Sequence, residues 1–306
     1  MSMSSVDNSE SMNNNTVSID ETLATIEVMR RQEENAYTVS DYLSRLPASV
    51  TVEDPPVDAQ CRVIMQKWGK EIASYCGYNT ETVDIAMNCL DRFMCTTDGF
   101  SVLFDRSQYQ LAVMTALYTT VKIHEHEAMD PQLIANLSQG AHSPQAVEAM
   151  EVRMLRALEW RMNPPTPMSF VSKILDLVPV HLMDGDERQA IMDLTKFQLE
   201  LAMETYQFSI LSASSIGIAS LLNAVESVST NAAFVKDFDQ SVCRLANVDA
   251  TELRAVRINL YESINGVEPM DMHFTADDVE DDTVNDTAKF SETNHEVGTS
   301  PRSVSI

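Results

Sequence analysis

Five cysteines and six histidines are the first places to look for catalysis or metal binding. Cys61, Cys76, Cys89, Cys95 and Cys243 are odd in number, form no CxxC pair and have no histidine cluster beside them, so they read as free thiols rather than a disulfide or zinc framework. No nucleophile–His–acid set is readable, and with only eight glycines there is little material for a phosphate-cradling loop. The chemistry left is that of recognition. Cys61, Ile64, Met65 and Trp68 recur at helical spacing and form an apolar stripe, with Arg62 set among them. Taken alone, such a stripe is a core face.

Helices must position these groups. The chain has 306 residues, 44% of them apolar, enough for one large domain or two of about 100–150 residues. Aromatics make up only 7% while there are 18 Met, so the core is Leu, Ile, Val, Ala and Met, which suits helices better than sheets. The net charge of −25 argues against nucleic acid and against an anionic membrane surface as partners, and leaves a basic protein partner open. The opening MSMSSVDNSESMNNN lacks the apolar core of a signal peptide, and no stretch of about 18 apolar residues is long enough to span a membrane. A nuclear or cytoplasmic protein is expected.

Residues 1 to about 28 are polar and rich in Ser and Asn, and are expected to be disordered, as is the acidic stretch 265–306. Between them lies a string of helical segments: Ala36 to Leu46, Val57 to Tyr75, Thr80 (as cap) to about Cys95, Asp105 or Ser107 to His124, Asp130 to Leu137 with Pro131 at its first turn, and Ser143-Pro144 to about Arg161. Asn163-Pro164-Pro165-Thr166-Pro167 cannot be helical and breaks the string. Helices are expected again near 167–178, 186–206, 210–227, 231–246 and 250–263, the last opened by an Asp249/Glu252 capping box. The two sets of about five helices suggest a duplication.

Four fragments, in order along about 57–170, resemble the cyclin family. They are Cys61-Arg62-Val63-Ile64-Met65-Gln66-Lys67-Trp68 followed by Glu81-Thr82; Leu90-Asp91-Arg92-Phe93; Tyr109-Gln110-Leu111 through Lys122-Ile123-His124-Glu125; and Met150-Glu151-Val152-Arg153-Met154-Leu155 with Pro165-Thr166. His124 stands where many cyclins have Glu, and Cys61 and Met65 replace Met and Leu. The second half is similar only in helical layout.

The resemblance implies an all-α fold of two tandem five-helix cyclin-box repeats with an extra N-terminal helix and disordered tails. The boxes are expected at 36–165 and 166–264. It implies a non-catalytic regulatory subunit that binds and activates a cyclin-dependent Ser/Thr protein kinase in cell-division control, with a cyclin-box adaptor or scaffold that activates no kinase as the alternative. Arg62 and Asp91 become a structural ion pair between two helices. Lys122 and Glu151 become kinase contacts, both accessible in the free protein. Cys61, Ile64, Met65, Trp68, Glu71 and Gln110 become a groove for Arg-x-Leu-type substrates or inhibitors. Ser300, followed by Pro301, is a candidate phosphorylation site. No cofactor and no metal are implied.

Overall fold

Local caps decide where most of the helices begin. In a computed structural model, described over residues 19–46, 56–246 and 250–266, the elements are α1 (Ile19–Ala36), α2 (Ala59–Cys76), α3 (Thr80–Cys95), a short α4 (Thr97–Phe100) leading into a 3-10 turn, α5 (Arg106–His124), α6 (Pro131–Leu137), α7 (Pro144–Ala157), α8 (Pro167–Asp176), α9 (Gly185–Glu204), a short α10 (Tyr206–Ser209), α11 (Ala213–Val228), α12 (Ala232–Ala246) and α13 (Ala250–Ile264). The described residues contain no strand. Asp58, Asp105, Asp130, Ser143, Asp184 and Ser212 each accept from a backbone N–H two or three positions on, and Thr166 and Ser169 form a reciprocal capping box. Pro131, Pro144 and Pro167 follow their caps directly, where a missing N–H costs nothing.

Two apolar cores result. One gathers residues of α2, α3, α5 and α7. The other gathers residues of α8, α9, α11, α12 and α13, and includes Ile26 of α1. In each, the third long helix is the central one. Residues 111–121 of α5 and 214–222 of α11 are buried without interruption, so neither helix keeps a polar face. Gly217 lets α11 meet the start of α8: a Cβ there would stand 2.5 Å from the Pro167 carbonyl oxygen.

Long-range bonds join the halves. Arg62 Nη1 donates to Met203 O (3.0 Å), Tyr206 Oη donates to Asp41 Oδ1 (2.8 Å), and Leu43 N donates to Tyr206 Oη (3.2 Å). Thr166 Oγ1 also donates to Glu81 Oε1.

Several expectations are corrected. The N-terminal stretch is helical from Ile19, because α1 lays Ile26 on the second core and its buried Glu33 carboxylate accepts from Ser214 N (3.0 Å) and Ser214 Oγ at the start of α11. Residues 37–46 are not helical. There the chain runs in an irregular path that lets Tyr42 reach Asp91 and Leu43 reach Tyr206. The cap of α3 is Asn79, whose side chain accepts from Glu81 N, and not Thr80. Helix α7 stops at Ala157, because Glu159 and Trp160 take positive φ of 52° and 63°. Asp249, Ser300 and most of 265–306 lie outside the described residues.

Candidate partner-binding surfaces

Arg62 on α2 and Asp91 on α3 are both buried and face one another through three contacts: Nε–Oδ1 3.0 Å, Nε–Oδ2 3.3 Å and Nη2–Oδ2 2.8 Å. Every remaining group of the pair is engaged. Tyr42 Oη donates to Asp91 Oδ1 (2.8 Å), and Arg62 Nη1 reaches Gln66 Oε1 (3.4 Å) as well as Met203 O. Burial alone would lower the pKa of the guanidinium. The Asp91 carboxylate more than offsets it, so Arg62 is held above the ordinary arginine range and stays charged. The same burial, reinforced by Asp91, pushes the Tyr42 phenol well up, which keeps it a donor.

Lys122, in the last turn of α5, meets Glu151 of α7 with Nζ 2.6 Å from Oε1. The two ends differ in exposure. Glu151 is buried at 8%, whereas the Lys122 side chain is 43% exposed. The expectation that both side chains are free in solvent is therefore corrected for Glu151. Burial works to lower the lysine's pKa, but the hydrogen bond and charge of Glu151 outweigh it, and the ammonium is held above its usual range. Lys122 Nζ also sits 5.0 Å from the centre of the Tyr118 ring. Ile123, next to Lys122 on α5, and Val152, next to Glu151 on α7, are large apolar side chains left exposed; elsewhere Leu133 is exposed and Trp160 is 71% exposed.

The stripe on α2 divides. Cys61, Ile64 and Met65 line a shallow hollow with Gln110 of α5, which brings four of the six expected groove residues together. Trp68 and Glu71 do not line it. Trp68 lies further along α2, half-buried against the first core, and Glu71 is exposed beyond it. Gln110 Oε1 is already 3.2 Å from His142 Nε2. Burial lowers the His142 pKa, which favours the neutral ring there.

Residues 24–163 match the model of the cyclin N-terminal domain. The chain carries a cyclin N-terminal domain. Cyclins are non-catalytic regulatory proteins. The chain is 26% identical over 152 residues to the G2/mitotic-specific cyclin-2 of Antirrhinum majus, covering 50% of this chain and 32% of the relative. It is 23% identical over 184 residues to the G1/S-specific cyclin-E1 of Rattus norvegicus, covering 57% of this chain and 44% of the relative. The chain thus matches less than half the length of each. Among solved structures, a viral cyclin from herpesvirus saimiri superposes with a TM-score of 0.57 at 15% identity, over 78% of this chain and 97% of that one, a likeness of fold.

Sequence reasoning missed three residues that shape the surfaces. Tyr42 completes the buried pair from a segment read as helix. Arg106 lines the hollow beside Cys61 and is paired with Asp58 at 3.0 Å. Its position directly after the Asp105 cap was a usable signal, because the first turn of α5 must point toward the start of α2 to close the hollow. Trp160 is exposed by a backbone turn with no sequence signature beyond the end of an apolar period. No helix of the described residues is long and apolar enough to cross a membrane.

Proposed function

We propose that this cyclin binds and activates a cyclin-dependent Ser/Thr protein kinase, in the control of cell division, through the face that carries Lys122 and Glu151. The observation that carries the reading is the charged pair between α5 and α7, half open to solvent, with the neighbouring Ile123 and Val152 exposed. A charged pair beside exposed apolar side chains suits a partner surface, where complementary charges fix register and steer association. Lys122 offers donors to backbone carbonyls, and Glu151 Oε2 offers an acceptor to a backbone N–H. The protein would act by binding the active arrangement of the kinase more tightly than the inactive one, so that the kinase's own Lys–Glu pair and metal site assemble. Relatives named for the G2/mitotic and G1/S phases support the cell-division setting. Nuclear or cytoplasmic residence follows from that partner. The hollow of Cys61, Ile64, Met65 and Gln110, continued by Trp68 and Glu71, supports a second role in docking Arg-x-Leu-type segments, with the arginine directed to Glu71.

The test uses the pair's own geometry. In the swap Lys122→Glu with Glu151→Lys the internal pair is kept, so the melting curve should stay close to wild type, while the charges shown to a partner are reversed. Mismatched charges at an interface cost ~2–5 kcal/mol, roughly thirtyfold or more in affinity. Co-purification with cyclin-dependent kinases and phosphorylation of a generic peptide should both fall. A well-folded swap that binds and activates normally would falsify the assignment and favour an adaptor that activates no kinase.

A further inference from the structure

Where the two halves and α1 meet, a cleft of about 200 Å³ remains open. Its walls are apolar on several sides, with Val39, Ile85, Pro165, Phe208, Ile210 and Ile216. Its other carboxylates, and Asn88, are partnered. Asp91 is held by Arg62 and Tyr42, Glu33 by Ser214, Glu34 by Arg30 (3.1 Å), and the Asn88 carbonyl faces Arg92 Nη1 (3.5 Å). Asp84 is different. It lines the cleft from the middle of α3, is partly buried, and has neither a hydrogen bond nor an ion pair with any described residue. The charges that act on it are Lys70 and Arg62 of α2, Glu81 of its own helix and Glu200 of α9. Lys70 is already turned to Glu204 (3.6 Å) and to the Glu200 carbonyl (3.3 Å), and Arg62 is spent on Asp91 and Met203. The segment 208–216 brings no titratable group to the cleft.

We propose that this cleft binds a small organic cation, an amine or amidine on a single apolar ring, with Asp84 as its counter-ion. Size selects the ring. An apolar cavity of about 150 Å³ takes benzene, so the cleft has room for one ring and a planar cationic head. Chemistry selects the charge. A carboxylate without a partner, set in apolar surroundings, gains most from a cation that brings its own fork of donors and can pair with both oxygens. Negative ligands would meet Asp84, Glu33 and Glu34, and a neutral ring would leave Asp84 as unpaired as before. The proposal does not depend on any kinase, since none of the residues used lies on the Lys122 face.

Burial pushes the Asp84 carboxyl up to about 7. A bound cation favours its ionised form, so binding should release a proton and strengthen as pH rises, by about tenfold between pH 6 and pH 8.

The experiment is calorimetric titration of the full-length chain with benzamidine and with its neutral isostere benzamide, at pH 6 and pH 8, together with amide NMR shifts at pH 8. Benzamidine should bind at least tenfold more tightly than benzamide at pH 8, lose most of that margin at pH 6, and shift the amides of Ile85, Asn88 and Ile210 first. Asp84→Asn should abolish the margin and the pH dependence. Equal binding of the two compounds, no binding of benzamidine, benzamidine affinity unchanged in Asp84→Asn, or shifts centred elsewhere would each overturn the proposal. The shift pattern is read on the wild-type chain, so the test remains decisive even if Asp84→Asn folds poorly.

Discussion

Arg62–Asp91 and Lys122–Glu151 are the same chemical object placed twice in one half of the molecule, with closest contacts of 2.8 and 2.6 Å. Their surroundings differ completely. The first is sealed, every polar atom of it answered by Tyr42, Gln66 or the Met203 carbonyl, and it ties α2 to α3 and to the second half. The second is sealed only at Glu151 and open at Lys122, with exposed apolar side chains around it. Distance alone would rank the second pair as the stronger. Burial and partner count reverse that: a buried charge is held in place by the penalty of leaving it alone, whereas an exposed one is free to be shared with another molecule.

The largest effect should come from breaking the sealed pair. Arg62→Ala or Asp91→Ala leaves a buried charge without its partner and should cost ~3–5 kcal/mol. The double variant should cost less than the sum. Thermal melts check this, and two single variants melting like wild type would end the comparison. Tyr42→Phe removes one donor to Asp91 and keeps the ring. Chemical denaturation should show a loss of about 1–3 kcal/mol.

Asp84 sharpens the contrast as a carboxylate with no hydrogen-bond or ion-pair partner among the described residues. Its folded pKa is raised, so its contribution is lost as pH rises from the unfolded carboxylate value through about 7. Asp84→Asn should therefore raise the melting temperature at pH 8, by about 2–4 °C for each kcal/mol relieved. The gain should shrink below pH 7 and vanish near pH 4. A variant with the same advantage at every pH would show that the charge of Asp84 is not the cause. A smaller effect is expected from Lys122→Met: the exposed ammonium contributes little by itself, but the sealed Glu151 carboxylate loses its partner, so stability should fall by about 1 kcal/mol. A large loss there would move Lys122 from partner contact to fold.

What was legible in the chain was what is decided locally. Asp105, Asp130 and the Ser143-Pro144 pair announce helix starts because a cap is made within three residues, and Pro164-Pro165 forbids helix by its own covalent geometry. The all-helical class followed from these. What depends on distant residues was not legible. Helix α1 looks like a polar tail because its buried face is Thr22, Ile26 and Glu33, and Glu33 has a reason to be buried only once Ser214 is in place. Residues 37–46 carry helix-like apolar spacing, yet Tyr42 and Leu43 are claimed by Asp91 and Tyr206 from elsewhere in the chain. At the site, the family resemblance marked Lys122 and Glu151 as partner contacts, but their contact with each other depends on how α5 packs on α7.

The Glu33–Ser214 bond has a consequence for how the molecule is made. Its two ends are 181 residues apart in the chain. At a synthesis rate of about 5–20 residues per second, roughly 10–35 seconds separate their appearance. Over that interval Ile26 of α1 has no complete second core to lie on, so α1 leaves the ribosome well before the partner that holds it.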